Sequence, residues 1–132
     1  MPQPAARQND PVTGTDLHIL LVASPAGPVP TPTPLPFSGR LSSGLSADVL
    51  INGRPAAVIG SLAVNLPPHL PVPGAPFSKP PSNQGSVLTG SLTVLVNGKP
   101  LARLGDTVLT CNDPVDLPTG TIAAGSPDVM VR

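Results

Sequence analysis

The sequence has no tryptophan, tyrosine or glutamate, two phenylalanines and a single cysteine. One cysteine excludes an internal disulfide, and two aromatic rings leave a core that must be aliphatic. The absence of glutamate removes a common general base of metal-dependent hydrolases. Seven Lys and Arg balance seven Asp, so the net charge is zero. No basic surface is therefore expected to bind nucleic acid or anionic lipid.

Long apolar runs are also lacking. The longest, Ile19 to Ala23, is far too short to span a bilayer. The first residues show neither the charged segment nor the apolar segment of a secretory leader. The sequence therefore predicts a chain that is made in the cytoplasm without a signal peptide and stays in solution.

Proline and glycine are abundant, with 21 and 13 residues, a share that is typical of disordered chains. The hydrophobic fraction of 39% argues for a folded core instead. Two segments repeat almost position for position: DVLINGRPAAVIGS at 48–61 and TVLVNGKPLARLGD at 93–106. Each contains Asn-Gly between short apolar runs, the pattern of a β-hairpin with a type I′ turn. The last residues, PDVMVR, and the early PAARQND each supply half of the same unit, so the two chain ends are predicted to form a third hairpin.

Between the repeats lie two proline-rich stretches, residues 25–44 and 67–86. Because proline lacks a backbone donor, both are predicted to be loops rather than central strands or helices. Both contain Pro-Phe-Ser, which predicts that Phe37 and Phe77 pack in corresponding places. No stretch has helical periodicity with caps, so the predicted fold is all-β.

The two histidines and the cysteine occur once in each repeat. His18 and His69 each lie fourteen residues after the first proline of a Pro-Ala-Ala, at Pro4 and Pro55, and the third copy ends in Cys111. Taken singly, each would be a packed histidine or a buried cysteine. They occupy equivalent positions in the three repeats, which favours a shared site instead. Three sequential copies with pseudo-threefold symmetry would bring these positions to one axis.

Two imidazoles and a thiolate suit Zn²⁺ and are acceptable to Fe²⁺. Structural zinc sites use four ligands, and the sequence has no further histidine or cysteine. The fourth ligand could be Asp16, Asp113, a backbone carbonyl, a water or a group of another molecule.

The Pro-Ala-Ala motifs, the VLINGRPAA and VLVNGKPLARLGD hairpins and the closing IAAGSPDVMV resemble the PAAR-repeat proteins, which cap the spike of contractile injection systems. The resemblance covers essentially the whole chain, as one domain over residues 1–132 with repeats at about 1–40, 41–86 and 87–132. It implies a small cone of short β-hairpins whose base sits on a trimeric spike protein and whose apex binds zinc. In that family three histidines and one cysteine usually hold the ion, and this chain has one histidine fewer.

The resemblance implies a structural spike-tip protein rather than an enzyme, with one zinc per chain that stiffens a domain too small for a rigid core. The expected partner is one spike trimer per chain, of the valine-glycine repeat type or similar to a phage tail spike. Such a tip would contact a target membrane during puncture and could carry an effector. It would sit on a type VI secretion apparatus or a phage-tail-like particle and be delivered to the extracellular space or a target cell.

Two other classes of function remain as alternatives. A zinc ion held by two histidines and one cysteine could activate water in a small hydrolase, although no catalytic signature surrounds Cys111. The stretch at 28–36, PVPTPTPLP, could be a proline-rich ligand of an adaptor, or a stiff structural loop.

Overall fold

The described chain consists of strands, turns and irregular segments. The computed structural model describes residues 2–132, and these contain no helix, so none that is long and apolar enough to cross a membrane. The all-β prediction is confirmed. The strands are β1 (Gln3–Pro4), β2 (Pro11–Val22), β3 (Val29–Ser43), β4 (Leu50–Ile51), β5 (Arg54–Pro55), β6 (Leu62–Asn65), β7 (Gln84–Val87), β8 (Leu95–Val96), β9 (Lys99–Pro100), β10 (Thr107–Thr110), β11 (Leu117–Ile122) and β12 (Met130–Val131).

Six of these strands close into a barrel. Neighbours pair antiparallel in the order β10, β11, β2, β3, β6, β7, and β7 pairs back onto β10. Because side chains alternate along each strand, one face of every strand points inward and fills the barrel. The core is aliphatic, as predicted, with one phenylalanine. Its members are Ala6, Val12, Phe37, Leu41, Ala57, Ala63, Val87, Ala102, Val108, Cys111 and Ile122.

The remaining six strands form three two-stranded hairpins, which we call the hairpin base. They are β4–β5, β8–β9 and β1–β12. Asn52 and Gly53 have φ of 53° and 77°, and Asn97 and Gly98 have 51° and 78°, the positive values that a type I′ turn requires. Both hairpin predictions are confirmed. Each hairpin continues into barrel strands at the same end of the barrel, so the base covers that end.

The third hairpin joins the two ends of the chain. Gln3 lies opposite Val131 and Pro4 opposite Met130 in an antiparallel pair. The prediction that PDVMVR and PAARQND complete one hairpin is therefore confirmed. Two further backbone hydrogen bonds join the ends, from the amide of Ala5 to the carbonyl of Val129 at 2.9 Å and from the amide of Ser126 to the carbonyl of Ala5 at 2.8 Å.

A ring of backbone hydrogen bonds connects the three repeats between the base and the barrel. The amide of Ala6 donates to the carbonyl of Ala102 at 2.9 Å, Ala102 to Ala57 at 2.9 Å, and Ala57 to Ala6 at 3.0 Å. All three alanines are fully buried and belong to the barrel core. Each is the third residue of its Pro-Ala-Ala or Pro-Leu-Ala, so the motif supplies a small side chain where three backbones meet.

Ala57→Leu is expected to lower the free energy of unfolding by about 1–3 kcal/mol, because the larger side chain would overpack the core under the ring. Urea unfolding followed by far-ultraviolet circular dichroism measures this change. Ala26→Leu, at an exposed position, is the matched control and should leave stability unchanged within error. Equal stability of the two variants would show that the ring tolerates bulk.

The first proline-rich stretch is not a loop, so that prediction is wrong: β3 (Val29–Ser43) runs through it. Its prolines, at 30, 32, 34 and 36, occupy every second position, so their nitrogens all face the same side of the strand. Over residues 29–36 β3 pairs only with β2, and β6 pairs with it from Gly39 onward. Proline is compatible with this open edge, where no donor is needed. The second stretch is irregular up to β7, as predicted.

The two phenylalanines do not occupy corresponding places, which corrects a second prediction. Phe37 lies on β3 and is buried in the barrel core. Phe77 lies in the loop that follows β6, where its ring contacts the His18 ring edge-on with centroids 5.6 Å apart. The shared Pro-Phe-Ser therefore stands on a strand in one repeat and in a loop in the next.

Strands β2 and β3 extend far beyond the barrel, and we call residues 15–36 the arm. The two strands pair continuously from Pro11 opposite Arg40 to Val22 opposite Val29, whereas β11 pairs with β2 only as far as Gly14. At about 3.3 Å per residue, the strand from residue 15 to Val22 projects roughly 23 Å. The arm leaves the barrel at the end opposite the hairpin base.

Candidate metal centre

Four side chains that can bind a metal meet where the arm leaves the barrel. They form the buried cluster, which consists of Asp16, His18, His69 and Cys111. One ligand atom from each lies within 4.8 Å of all the others, and all four residues are buried. The structure thus brings together the three residues that were predicted as ligands. Of the candidates for a fourth ligand, it adds Asp16 and leaves Asp113 outside the cluster.

Three separate segments supply the cluster. Asp16 and His18 are two residues apart on β2, so their side chains point to the same face. Cys111 follows the last residue of β10, and His69 lies in the loop after β6. Backbone contacts fix the Cys111 segment to the arm, because the amide of residue 113 donates to the carbonyl of residue 17 at 2.8 Å.

The carboxylate of Asp16 lies at the centre of the cluster. His69 Nε2 is 2.8 Å and Cys111 Sγ 3.5 Å from its Oδ2, and the hydroxyl of Thr110 donates to its Oδ1. Cys111 Sγ is also 3.8 Å from His18 Nε2. A buried carboxylate is costly unless it is paired in this way or bound to a cation.

Asparagine side chains hold His69 in place. Its backbone amide donates to Asn83 Oδ1 at 2.7 Å, and its Nδ1 lies 3.3 Å from Asn65 Nδ2. Asn65 Oδ1 accepts in turn from the amide of Ser38 on β3, at 2.8 Å. These contacts orient the imidazole so that Nε2 faces the cluster.

Burial keeps two of the four groups neutral when no cation is present. It lowers the pKa of His18, and the nearby His69 lowers it further against the opposite pull of Asp16. Burial also raises the pKa of the Cys111 thiol, and the Asp16 carboxylate adds to that effect. A neutral imidazole is ready to bind a metal, whereas a thiol must lose its proton, which a divalent cation favours.

The residues of the cluster fit a metal ion. One sulfur, two imidazole nitrogens and a carboxylate oxygen are the donor types that zinc takes. Ligands about 2.0–2.3 Å from a tetrahedral ion lie roughly 3.3–3.7 Å apart, close to the 3.5 and 3.8 Å measured from the sulfur. Among residues 2–132, His18 Nδ1 is one of two buried side-chain polar atoms without a hydrogen-bond partner, the other being Asp113 Oδ2. The nitrogen of His18 that faces the cluster is the other one, Nε2, which lies 3.8 Å from Cys111 Sγ.

A small cavity of about 160 Å³ adjoins the cluster, and His18, Cys111 and Lys79 contribute to its wall. Lys79 Nζ donates to the carbonyls of Pro114 and Asn112, at 3.1 and 3.5 Å. The cavity therefore borders two of the four donor residues, His18 and Cys111.

Sequence reasoning missed Asn65, Asn83 and Thr110 as supporting residues. One signal was available for two of them, because Asn65 and Thr110 each end an alternating strand at a position where an apolar residue is expected. Both are buried. A polar side chain in the inward phase of a strand indicates a buried hydrogen-bond network.

Comparison with protein families adds one finding. The PAAR motif model matches residues 78–132, which include β7 to β12 and Cys111 and exclude both histidines. The comparisons with curated proteins and with solved structures found no match.

Proposed function

We propose that this chain, whose residues 78–132 match the PAAR motif, is a PAAR-repeat spike-tip protein of a contractile injection system that caps and sharpens a trimeric spike for membrane puncture. The spike is of the valine-glycine repeat type or similar to a phage tail spike, in a type VI secretion apparatus or a phage-tail-like particle. A separate effector could attach to the tip. The protein would be made in the cytoplasm without a signal peptide and leave the cell on the injected particle.

The observation that carries the proposal is an apolar side chain exposed at the same place in each hairpin. Leu50, Leu95 and Met130 are 61%, 62% and 53% exposed. The next residue of each strand points inward and is 6% exposed in every case: Ile51, Val96 and Val131. Large apolar side chains presented in a regular set mark a surface that a partner covers.

Contacts between the hairpins also repeat. Asn97 Nδ2 donates to Asp48 Oδ2 at 2.7 Å, and Asn52 Nδ2 donates to Asp128 Oδ1 at 2.8 Å. At the third seam the hydroxyl of Ser91 donates to the backbone carbonyl of Arg132. Together with the alanine ring, these seams support our proposal that the hairpins are related by a pseudo-threefold axis.

The same relation appears inside the repeats. A side-chain oxygen accepts from the backbone amide three residues earlier in each copy: Asp10 from Arg7 at 2.8 Å, Ser61 from Val58 at 2.9 Å and Asp106 from Arg103 at 2.7 Å. We therefore propose one domain over residues 1–132 with repeats at about 1–40, 41–86 and 87–132. A base with three equivalent edges fits one trimer per chain, with each hairpin on a different subunit.

We infer that the buried cluster binds one zinc ion per chain. His18, His69 and Cys111 would bind it, and Asp16 would supply the fourth ligand. When bound, the ion cross-links three segments of the chain, so its binding free energy stabilises the fold. Neighbouring side chains position the ligands: Thr110 orients Asp16, and Asn65 and Asn83 orient His69.

The two alternative functions are less well supported. A catalytic zinc keeps one position open for water, whereas four protein donors close the site, so a role without catalysis is proposed. A proline-rich ligand must be free to adopt a polyproline helix, whereas residues 29–36 pair with β2 along β3.

Docking on the cognate trimeric spike protein tests the proposal. Native mass spectrometry is expected to show one chain per trimer, and Leu95→Asp should weaken binding about a hundredfold, because it places a charge in the apolar contact. Leu70→Asp is the control, since Leu70 is an exposed leucine at the opposite end of the molecule. Another dominant stoichiometry, or equal weakening by the two variants, would contradict the proposal.

A further inference from the structure

Two segments at the end of the molecule opposite the hairpin base carry no charged side chain. Residues 17–39 and 62–78 contain no lysine, arginine, aspartate or glutamate. We call residues 17–36 of the arm and the loop at 66–78 the uncharged lobe. Its two histidines are buried in the metal centre. Its large exposed apolar residues are Leu17, Val22, Val29, Leu66, Leu70 and Val72.

The loop is fixed against the arm as an additional strand-like segment. The amide of Leu21 donates to the carbonyl of Pro76, and the amide of Ser78 to the carbonyl of Ile19, each at 2.8 Å. Leu20 lies opposite Phe77 in an isolated bridge. An apolar groove of about 450 Å³ remains between the two parts, with Leu20, Val22 and Thr33 on one side and Val72 and Ala75 on the other. The lobe is thus an ordered apolar surface.

Hydrogen-bond donors are missing from the open edge of β3. The four prolines of β3 between residues 30 and 36 leave no N–H on its open edge. Three of the four hydroxyls of the lobe donate within the chain: Ser24 to the carbonyl of Gly27, Thr31 to that of Val29 and Thr33 to that of residue 31. An unpaired donor is what makes polypeptide costly to move out of water. Its removal lowers the cost of entering an apolar phase.

The same features decide between kinds of partner. A peptide that added a strand to β3 would need donors on that edge, which the prolines remove. A charged protein surface or an anionic membrane would find no opposite charge. A neutral bilayer needs none, because exposed apolar side chains alone favour its interface.

We propose that the uncharged lobe is a lipid-contacting surface that enters the interface of a neutral, zwitterionic bilayer. This inference rests on the proposed function in one respect, since it assigns the target-membrane contact of the spike tip to particular residues. The lobe meets the membrane first, because it projects from the barrel on the side away from the trimer.

A single introduced tryptophan tests the proposal by its fluorescence. The chain has no tryptophan or tyrosine, so no other residue contributes to the emission. The full chain with Val29→Trp is mixed with phosphatidylcholine vesicles, with and without brominated acyl chains. The tryptophan emission is expected to shift to shorter wavelength and to be quenched by the brominated lipid. Leu95→Trp, in the hairpin base, is the matched reporter and should show neither change. High salt should leave the Val29→Trp response unaltered.

A charged double variant checks that the apolar surface is responsible. Leu70→Asp with Val72→Asp, added to Val29→Trp, is expected to weaken the partition into vesicles by about tenfold or more, because a carboxylate opposes entry into lipid. Three results would each overturn the inference: no spectral change at any lipid concentration, a change only on anionic vesicles that salt abolishes, or an equal change for Leu95→Trp. The double variant should still dock on the trimer, so failure of the lipid experiment is distinguishable from failure of the proposed function.

Discussion

Cys111→Ser is expected to abolish stoichiometric zinc binding and to lower the melting temperature by roughly 10 °C, which corresponds to about 3 kcal/mol in a domain of this size. The serine hydroxyl keeps the shape of the side chain and removes the thiolate, which is the strongest of the four donors for zinc. The ion joins β2, the segment after β10 and the loop after β6, so its loss frees the three segments together. Elemental analysis and thermal unfolding of the purified proteins measure both effects.

A chelator separates the loss of the ion from a loss of packing. Cys111 also belongs to the barrel core, so serine would cost some stability even without a metal. If the ion is responsible, chelation should destabilise the wild-type protein to nearly the level of the variant and leave the variant unchanged. A difference between the two proteins that persists in chelator at full size would contradict the metal site. So would folded wild-type protein that carries far less than one zinc per chain.

The repeats predicted the hairpins because turn chemistry is local. Asn-Gly specifies its turn within four residues, so Asn52 and Asn97 adopt the expected conformation whatever surrounds them. The pairing of the two chain ends was predictable as well, since each half-repeat lacked the strand that the other supplied. Both inferences needed only the comparison of one segment with another.

The course of β3 was not predictable, because the effect of proline depends on which neighbours a strand has. A proline is excluded where both edges pair and is tolerated where one edge is open. Only the assembled barrel shows that β6 pairs with β3 from Gly39 onward, so that the prolines at 30–36 lie on an edge that has no partner strand. The Phe37 and Phe77 prediction failed for the same reason, since the arm extends as strands in one repeat and its counterpart folds back as a loop.

The metal centre was predictable only in part. The phase of His18, His69 and Cys111 in the repeats was a property of the sequence, and the structure brings them together. The role of Asp16 was harder to infer, because its place opposite His69 depends on where the loop after β6 folds. Its spacing of two residues from His18 on a strand was the available signal, since such residues share a face.

Deletion of residues 128–132 is expected to abolish docking on the spike trimer while the chain keeps its zinc. The deletion removes β12, so β1 loses its partner strand and one of three apolar contacts of the base disappears with Met130. It also removes the carboxylate that accepts from Asn52 and the carbonyl that accepts from Ser91. Two of three seams then open, whereas every proposed zinc ligand remains at the far end of the barrel.

Arg132→Ala is the matched control for this deletion. Ser91 binds the backbone carbonyl of residue 132 and not its side chain, so the substitution preserves the seam and should dock as the wild-type protein does. Native mass spectrometry gives the bound fraction, and elemental analysis of the same samples gives the zinc content. Full docking by the truncated protein would show that the trimer does not need to contact three equivalent hairpins. Loss of both docking and zinc would show instead that the hairpin base and the metal centre fold as one unit, because the closure of the chain ends would then be required at both ends of the barrel.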